Sequence, residues 1–190
     1  MRGDEPKKQL DGACHPVKTP ERTDMLTHDQ IIKYLEELNH ALRDMSAIGE
    51  VCIYGGAVMC LVFKSRPATM DVDAVFEPSR KIRDAAAVIA EANGLRKDWL
   101  NDGVKGFVVK HDQKILFNWP NLKVYYPEPE YLLAMKAMAS RVDTTDKKDI
   151  QFLIKELKIK SADEVFQIIE KYYRKNQIKP VVQYFIMELF

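Results

Sequence analysis

The stretch Tyr54-Gly55-Gly56-Ala57, followed by Arg66-Pro67-Ala68-Thr69-Met70-Asp71-Val72-Asp73, decides how this chain is read. It spells a short apolar strand, a Gly-Gly turn, a short helix, and a second strand carrying two carboxylates one residue apart. Strand side chains alternate faces, so Asp71 and Asp73 are expected to point the same way while Val72 points into the core. Two acids on one face repel each other unless a cation sits between them. Carboxylate oxygens at this spacing suit Mg²⁺, which is commonly held by one or two carboxylates together with substrate phosphates. The Gly-Gly turn adds bare backbone N–H groups and the positive end of a helix dipole, both suited to a phosphate.

Outward from this stretch, composition sets the bounds. The 190 residues suffice for one domain with a sizeable core, or one domain with a helical extension. With 46% apolar and 30% charged residues, the balance is that of a globular protein rather than a disordered one. A net charge of +1 neither demands nor excludes nucleic acid, so such a partner would need a local basic patch. The three cysteines, Cys14, Cys52 and Cys60, make no disulfide framework, and the four histidines are scattered, which leaves no zinc-site pattern. The polar start lacks the apolar core of a signal peptide, and the apolar run Val51 to Phe63 is too short to span a bilayer. The expectation is therefore a cytoplasmic chain with no membrane partner.

In chain order, residues 1–24 are polar, contain Pro6, Pro16 and Pro20, and read as a flexible leader. Thr27 with Gln30 forms a capping box for an amphipathic helix carrying Ile31, Leu35, Leu38, Leu42 and Met45 and ending near Gly49. Strand Val51–Tyr54, helix Ala57–Phe63 and strand Asp71–Phe76 follow. Ser79 is placed to cap a helix through Asn93 that Gly94 terminates. Gly106–Val109, Ile115–Phe117 and Leu122–Tyr126 read as two or three short strands. Helices are then expected from Pro129 to Arg141, from Asp146, after Ser161 with Glu164, and from Pro180. The predicted class is α/β (α+β): a mixed sheet covered by helices over 25–128, and a helical part over 129–190.

Gly55-Gly56 followed by Arg66-Pro67-Ala68-Thr69-x-Asp71-x-Asp73 resembles the signature of the polymerase-β-type nucleotidyltransferase superfamily. Lys136-x₄-Arg141-x₄-Asp146-x₂-Asp149-Ile150 resembles a later motif of the minimal nucleotidyltransferases typified by AbiEii-type toxins. Trp99-Leu100-Asn101-Asp102 and Leu132-Leu133-Ala134-Met135-Lys136 are similar to the nucleotidyltransferase-like family DUF6036. The likeness runs from about Met25 to the C-terminus.

The resemblance implies Mg²⁺-dependent transfer of an NMP from an NTP to a hydroxyl acceptor. In that chemistry metal ions clamp the attacking and leaving oxygens while amides and cations hold the triphosphate. It assigns Asp71 and Asp73 to the metal, Gly55, Gly56, Arg66, Thr69 and Arg141 to the nucleotide, and Lys136 and Asp149 to catalysis. By analogy with the toxins, the acceptor is an RNA 3′ end such as a tRNA stem, or a protein. Each assignment has a plain alternative. Arg66 also reads as a surface residue, Thr69 as a turn residue, and Asp146 and Asp149 as acids favouring a helix dipole. Many superfamily members carry a third carboxylate on a later strand; neither Ile115–Trp119 nor Leu122–Tyr126 has one, which leaves Asp149, solvent or metal to take the acceptor proton. The lysines of the last helices, with Tyr172 and Tyr173, read either as an RNA grip or as a solvated face. The alternative function is a catalytically silent, antitoxin-like binding module that meets a cognate protein through the apolar end Phe185–Phe190.

Overall fold

A computed structural model describes residues 25–139 and 144–190. The leader read over 1–24, and Arg141, lie outside the described residues. Helix α1 (His28–Asp44) starts on the expected capping box: Thr27 accepts from the Gln30 N–H, and the Gln30 side chain accepts from the Thr27 N–H. Its stripe Ile31, Leu35, Leu38 and Leu42 is fully buried. The helix stops at Asp44, before Gly49, which instead opens strand β2 (Gly49–Ile53).

Two two-residue strands, β1 (Leu26–Thr27) and β3 (Ala68–Thr69), pair antiparallel with Leu26 opposite Thr69. Neither carries enough residues to show a period in sequence. Helix α2 (Gly55–Leu61) follows β2, and β4 (Val72–Glu77) begins one residue after Asp71. Helix α3 (Ser79–Asn93) has its predicted bounds, with Gly94 left-handed at φ +66. Ser79 is not its N-cap, however. Its hydroxyl donates to the Phe76 carbonyl, and the Glu77 carboxylate accepts from the Ser79 N–H in its place.

The main sheet is mixed, in the order β5-β4-β2-β7-β6, with β5 at Leu100–Asn101, β6 at Gln113–Asn118 and β7 at Leu122–Pro127. β2 runs antiparallel to β4 and parallel to β7; β4 is parallel to β5. Gly106–Val109 is not a strand. A 3-10 turn at Gly103–Gly106 leads into it, and Val104, Val108 and Val109 pack on Cys52, Tyr54 and Tyr131 instead of joining a ladder. Four helices complete the described chain: α4 (Pro129–Ala139), α5 (Thr144–Glu156), α6 (Ala162–Tyr172) and α7 (Pro180–Met187). Ser161 caps α6 through the Glu164 N–H, as its spacing predicts.

Sheet alternation fixes where the core lies. Val72, Ala74 and Phe76 of β4 are buried with Val51 and Ile53 of β2 and Val124 of β7, in one cluster with the α1 and α3 stripes. Asp73 and Val75 take the opposite face. No helix among the described residues is long and apolar enough to cross a membrane.

Candidate functional site

Antiparallel pairing of β2 with β4 brings the C-terminal end of one strand beside the N-terminal end of the other, so the Gly-Gly turn and the aspartates share one end of the sheet. The Tyr54 N–H donates to the Asp73 carbonyl at 2.8 Å and fixes the junction. Gly55 has φ +58, and a Cβ there would stand 3.0 Å from Asp73 Oδ2. A Cβ on Gly56 would stand 2.3 Å from Thr69 Oγ1 and 3.3 Å from Arg66 Nη1. The paired glycines thus let a carboxylate, a hydroxyl and a guanidinium crowd one short piece of backbone.

Asp71 and Asp73 are both half-buried. Burial pushes the Asp71 carboxyl above its ordinary range, and the neighbouring Asp73 charge pushes it further, as does Asp98; Arg96 and a hydrogen bond from Asn101 oppose the rise. That hydrogen bond runs from Asn101 Nδ2 to Asp71 Oδ2 at 3.2 Å. Among the described residues no three His, Cys, Asp or Glu side chains converge as a self-sufficient metal site. Two mutually repelling carboxylates fit Mg²⁺, a hard cation that completes its octahedron with water and phosphate oxygens.

The cations lie on the other side of Gly56. Arg66 grips Asp149 with both arms, Nε donating to Oδ1 at 2.7 Å and Nη2 to Oδ2. Lys136 reaches the same Asp149 Oδ2 at 2.7 Å and Asp146 Oδ1 at 3.2 Å. Both Lys136 and Asp149 are buried, at 8% and 3% exposure. Lys136 therefore faces inward, with Asp149 and Asp146 as its ion-pair partners. Both oxygens of Asp149 accept from cations, so the carboxylate holds Arg66 and Lys136 together.

Next to the turn, Tyr54 joins an aromatic wall. His111 stacks flat on Tyr131 at 3.9 Å between centroids. Its Nδ1–H donates to the Val109 carbonyl at 2.7 Å, which leaves Nε2 as acceptor for the Tyr54 hydroxyl at 3.3 Å. Burial raises the Tyr54 phenol and pushes the Cys52 thiol up to about 11. Tyr172 donates to Glu128 at 2.5 Å and packs edge-on against Tyr131, while Tyr173 hydrogen-bonds Tyr131. Both rings are thus part of this wall and are half-buried against protein.

Gly55, Gly56, Arg66, Thr69, Asp71, Asp73, Lys136 and Asp149 form one chain of neighbours across the sheet end. Asn101 is the member to which sequence reasoning gave no role. Its place follows only from the fold: it ends the two-residue strand β5 opposite Asp73, a strand too short to show a period in sequence. Searches of curated proteins and of solved structures returned no match. A family model described as a nucleotidyltransferase of unknown function matches residues 29–187, the span that carries every site residue above. The chain therefore belongs to that nucleotidyltransferase-type family, DUF6036.

Proposed function

We propose that this protein transfers an NMP from an NTP to a hydroxyl acceptor, using Mg²⁺ held by Asp71 and Asp73. The supporting observation is the convergence at one sheet end of an acidic pair, a glycine turn against it, and two cations beyond the turn. When bound, the metal supplies charge stabilisation to the attacking and leaving oxygens. Asp71 and Asp73 hold it on one side of the turn. Gly55 and Gly56 let Asp73, Thr69 and Arg66 close on one short turn, and their backbone N–H groups are proposed for the triphosphate. Arg66 and Lys136, held by Asp149, lie where charge on the departing pyrophosphate would need to be met. Arg141 is proposed for the same phosphates, on resemblance alone. With Asp149 engaged by two cations, the acceptor proton leaves to solvent or to substrate oxygen.

The acceptor proposed is an RNA 3′ end, on resemblance to the toxin branch. A second reading, a silent module that binds a protein partner through Phe185–Phe190, draws support from Met187 and Phe190, which are more than half exposed, whereas Phe185 and Ile186 are buried in the core and are not available to a partner. One experiment separates them: each α-labelled NTP is incubated with Mg²⁺, the protein, total RNA and lysate protein. Label is expected in the RNA fraction and is expected to fall about 10²–10³-fold with Asp73→Asn, the scale of losing a main electrostatic stabiliser. Label in protein would replace the acceptor assignment, and no label from folded protein would favour the silent module.

A further inference from the structure

We propose that Asn101 is a positioning residue that holds Asp71 in a cation-binding orientation, so that its carboxamide sets the divalent-ion affinity of the acidic pair. This rests on the reading of Asp71 and Asp73 as the cation ligands. Asn101 stands directly opposite Asp73 in the parallel β4–β5 ladder, and its side chain reaches the other aspartate, Asp71, at 3.2 Å. It therefore spans both acids.

The orientation of the carboxamide is set from its far end. Asn101 Oδ1 accepts from the Gly103 N–H at 3.0 Å, so Nδ2 must face Asp71; the flipped amide would set donor against donor at Gly103 and oxygen against carboxylate at Asp71. Gly103 allows this approach, since a Cβ there would lie 3.2 Å from Oδ1. The register of a two-residue strand is secured by the Val72 N–H, which donates to the Trp99 carbonyl at 2.6 Å, and by buried Trp99, whose Nε1–H donates to the Ala86 carbonyl at 3.0 Å. A fixed donor on one carboxylate oxygen restricts that group to a narrow set of rotations and leaves its other oxygen directed away from the donor. Outer partners of ligating carboxylates act in this way, and their loss typically weakens metal affinity about 10–100-fold.

An aspartate at 101 makes the opposite change. It removes the donor and adds a third negative charge beside the pair, so the metal-free protein should lose stability while its divalent ion binds more tightly.

The test measures Mn²⁺ affinity by electron paramagnetic resonance, and melting temperature with and without Mg²⁺, for wild type, Asn101→Ala and Asn101→Asp. The wild type is expected to bind Mn²⁺ and Asn101→Ala to bind it about 10–100-fold more weakly. Asn101→Asp is expected to melt lower than wild type without Mg²⁺ and to gain more from its addition. Wild-type binding with unchanged affinity in Asn101→Ala, or equal losses of melting temperature with and without Mg²⁺ in both variants, overturns the inference and leaves the cation reading standing. A wild type that binds no Mn²⁺, alone or with a nonhydrolysable NTP, overturns both. If Asn101→Ala does not fold, Asn101→Ser, which loses the carboxamide donor without adding charge, is read by the same Mn²⁺ titration, and unchanged affinity there overturns the inference.

Discussion

Two cations, Arg66 and Lys136, share the buried carboxylate of Asp149, and which charges a substitution removes decides what it does. Asp149→Asn takes the counter-charge from a bidentate Arg66 and from a Lys136 that is 8% exposed. Removing one partner of a buried pair costs about 3–5 kcal/mol, and the contact that Lys136 keeps with Asp146 at 3.2 Å should hold the loss to the lower end of that range. Lys136→Met leaves Asp149 with Arg66 and puts an apolar chain of similar length into an apolar helix, so its cost should be smaller. In the double variant Arg66 loses its Asp149 contacts and Asp146 loses Lys136, but no buried lysine is left facing a missing carboxylate. Urea unfolding of the two single variants and the double should therefore show a coupling of more than about 1 kcal/mol. Additive losses would mean that Lys136 and Asp149 act independently despite their 2.7 Å contact. The sequence placed both residues in the site but could not pair Asp149 with Arg66, which lies 83 positions away; that contact exists only once α5 has packed against the segment leading into β3.

Among the elements, those specified by local chemistry were legible and those specified by distant pairing were not. The Thr27 capping box, the Gly94 stop and the Ser161 cap each act within one turn of helix, and the sequence places all three. β1, β3 and β5 are two residues each and owe their existence to partners roughly 30 to 40 positions away. Gly106–Val109 has strand composition, yet its valines found a better surface on Cys52 and Tyr131 than a ladder would offer. The Gly-Gly turn belongs to both groups: the conformational freedom is readable, but not that Gly56 is required by β3. Gly56→Ala would drive a methyl to 2.3 Å from the Thr69 hydroxyl, and Thr69 is only 5% exposed. Overpacking of that kind costs about 1–3 kcal/mol. Thr69→Ala should recover part of it, since the remaining Cβ contact at 3.2 Å needs a shift of only a few tenths of an ångström. Thermal melts of the single and double variants check this, and a double variant no more stable than Gly56→Ala would place the clash elsewhere.

For the whole molecule, the change of composition near residue 128 suggests two parts, but the core does not divide there. Leu122 and Val124 of β7 belong to one continuous apolar cluster with Leu132 and Leu133 of α4, Ile150 of α5 and Ile186 of α7. Tyr131 of α4 packs on Cys52 of β2 and on Tyr54, directly before the glycine turn. The Arg66–Asp149–Lys136 group adds a buried polar tie between the segment before β3 and the helices α4 and α5. A fragment cut after residue 128 would present this cluster to water and leave Arg66 without its carboxylate. The full chain is therefore expected to unfold in a single transition, with calorimetric and van't Hoff enthalpies equal. A fragment of residues 25–128 should show no cooperative melt. Two resolved transitions, or a folded fragment, would mean that the sheet is stable alone and that the C-terminal helices are an attached unit. The single transition carries a consequence for the proposed site: Lys136 of α4 would be held beside Arg66 and Asp149 by the same packing that holds the sheet together, so destabilising α4 or α6 far from the aspartates should lower the proposed nucleotide binding as well as stability.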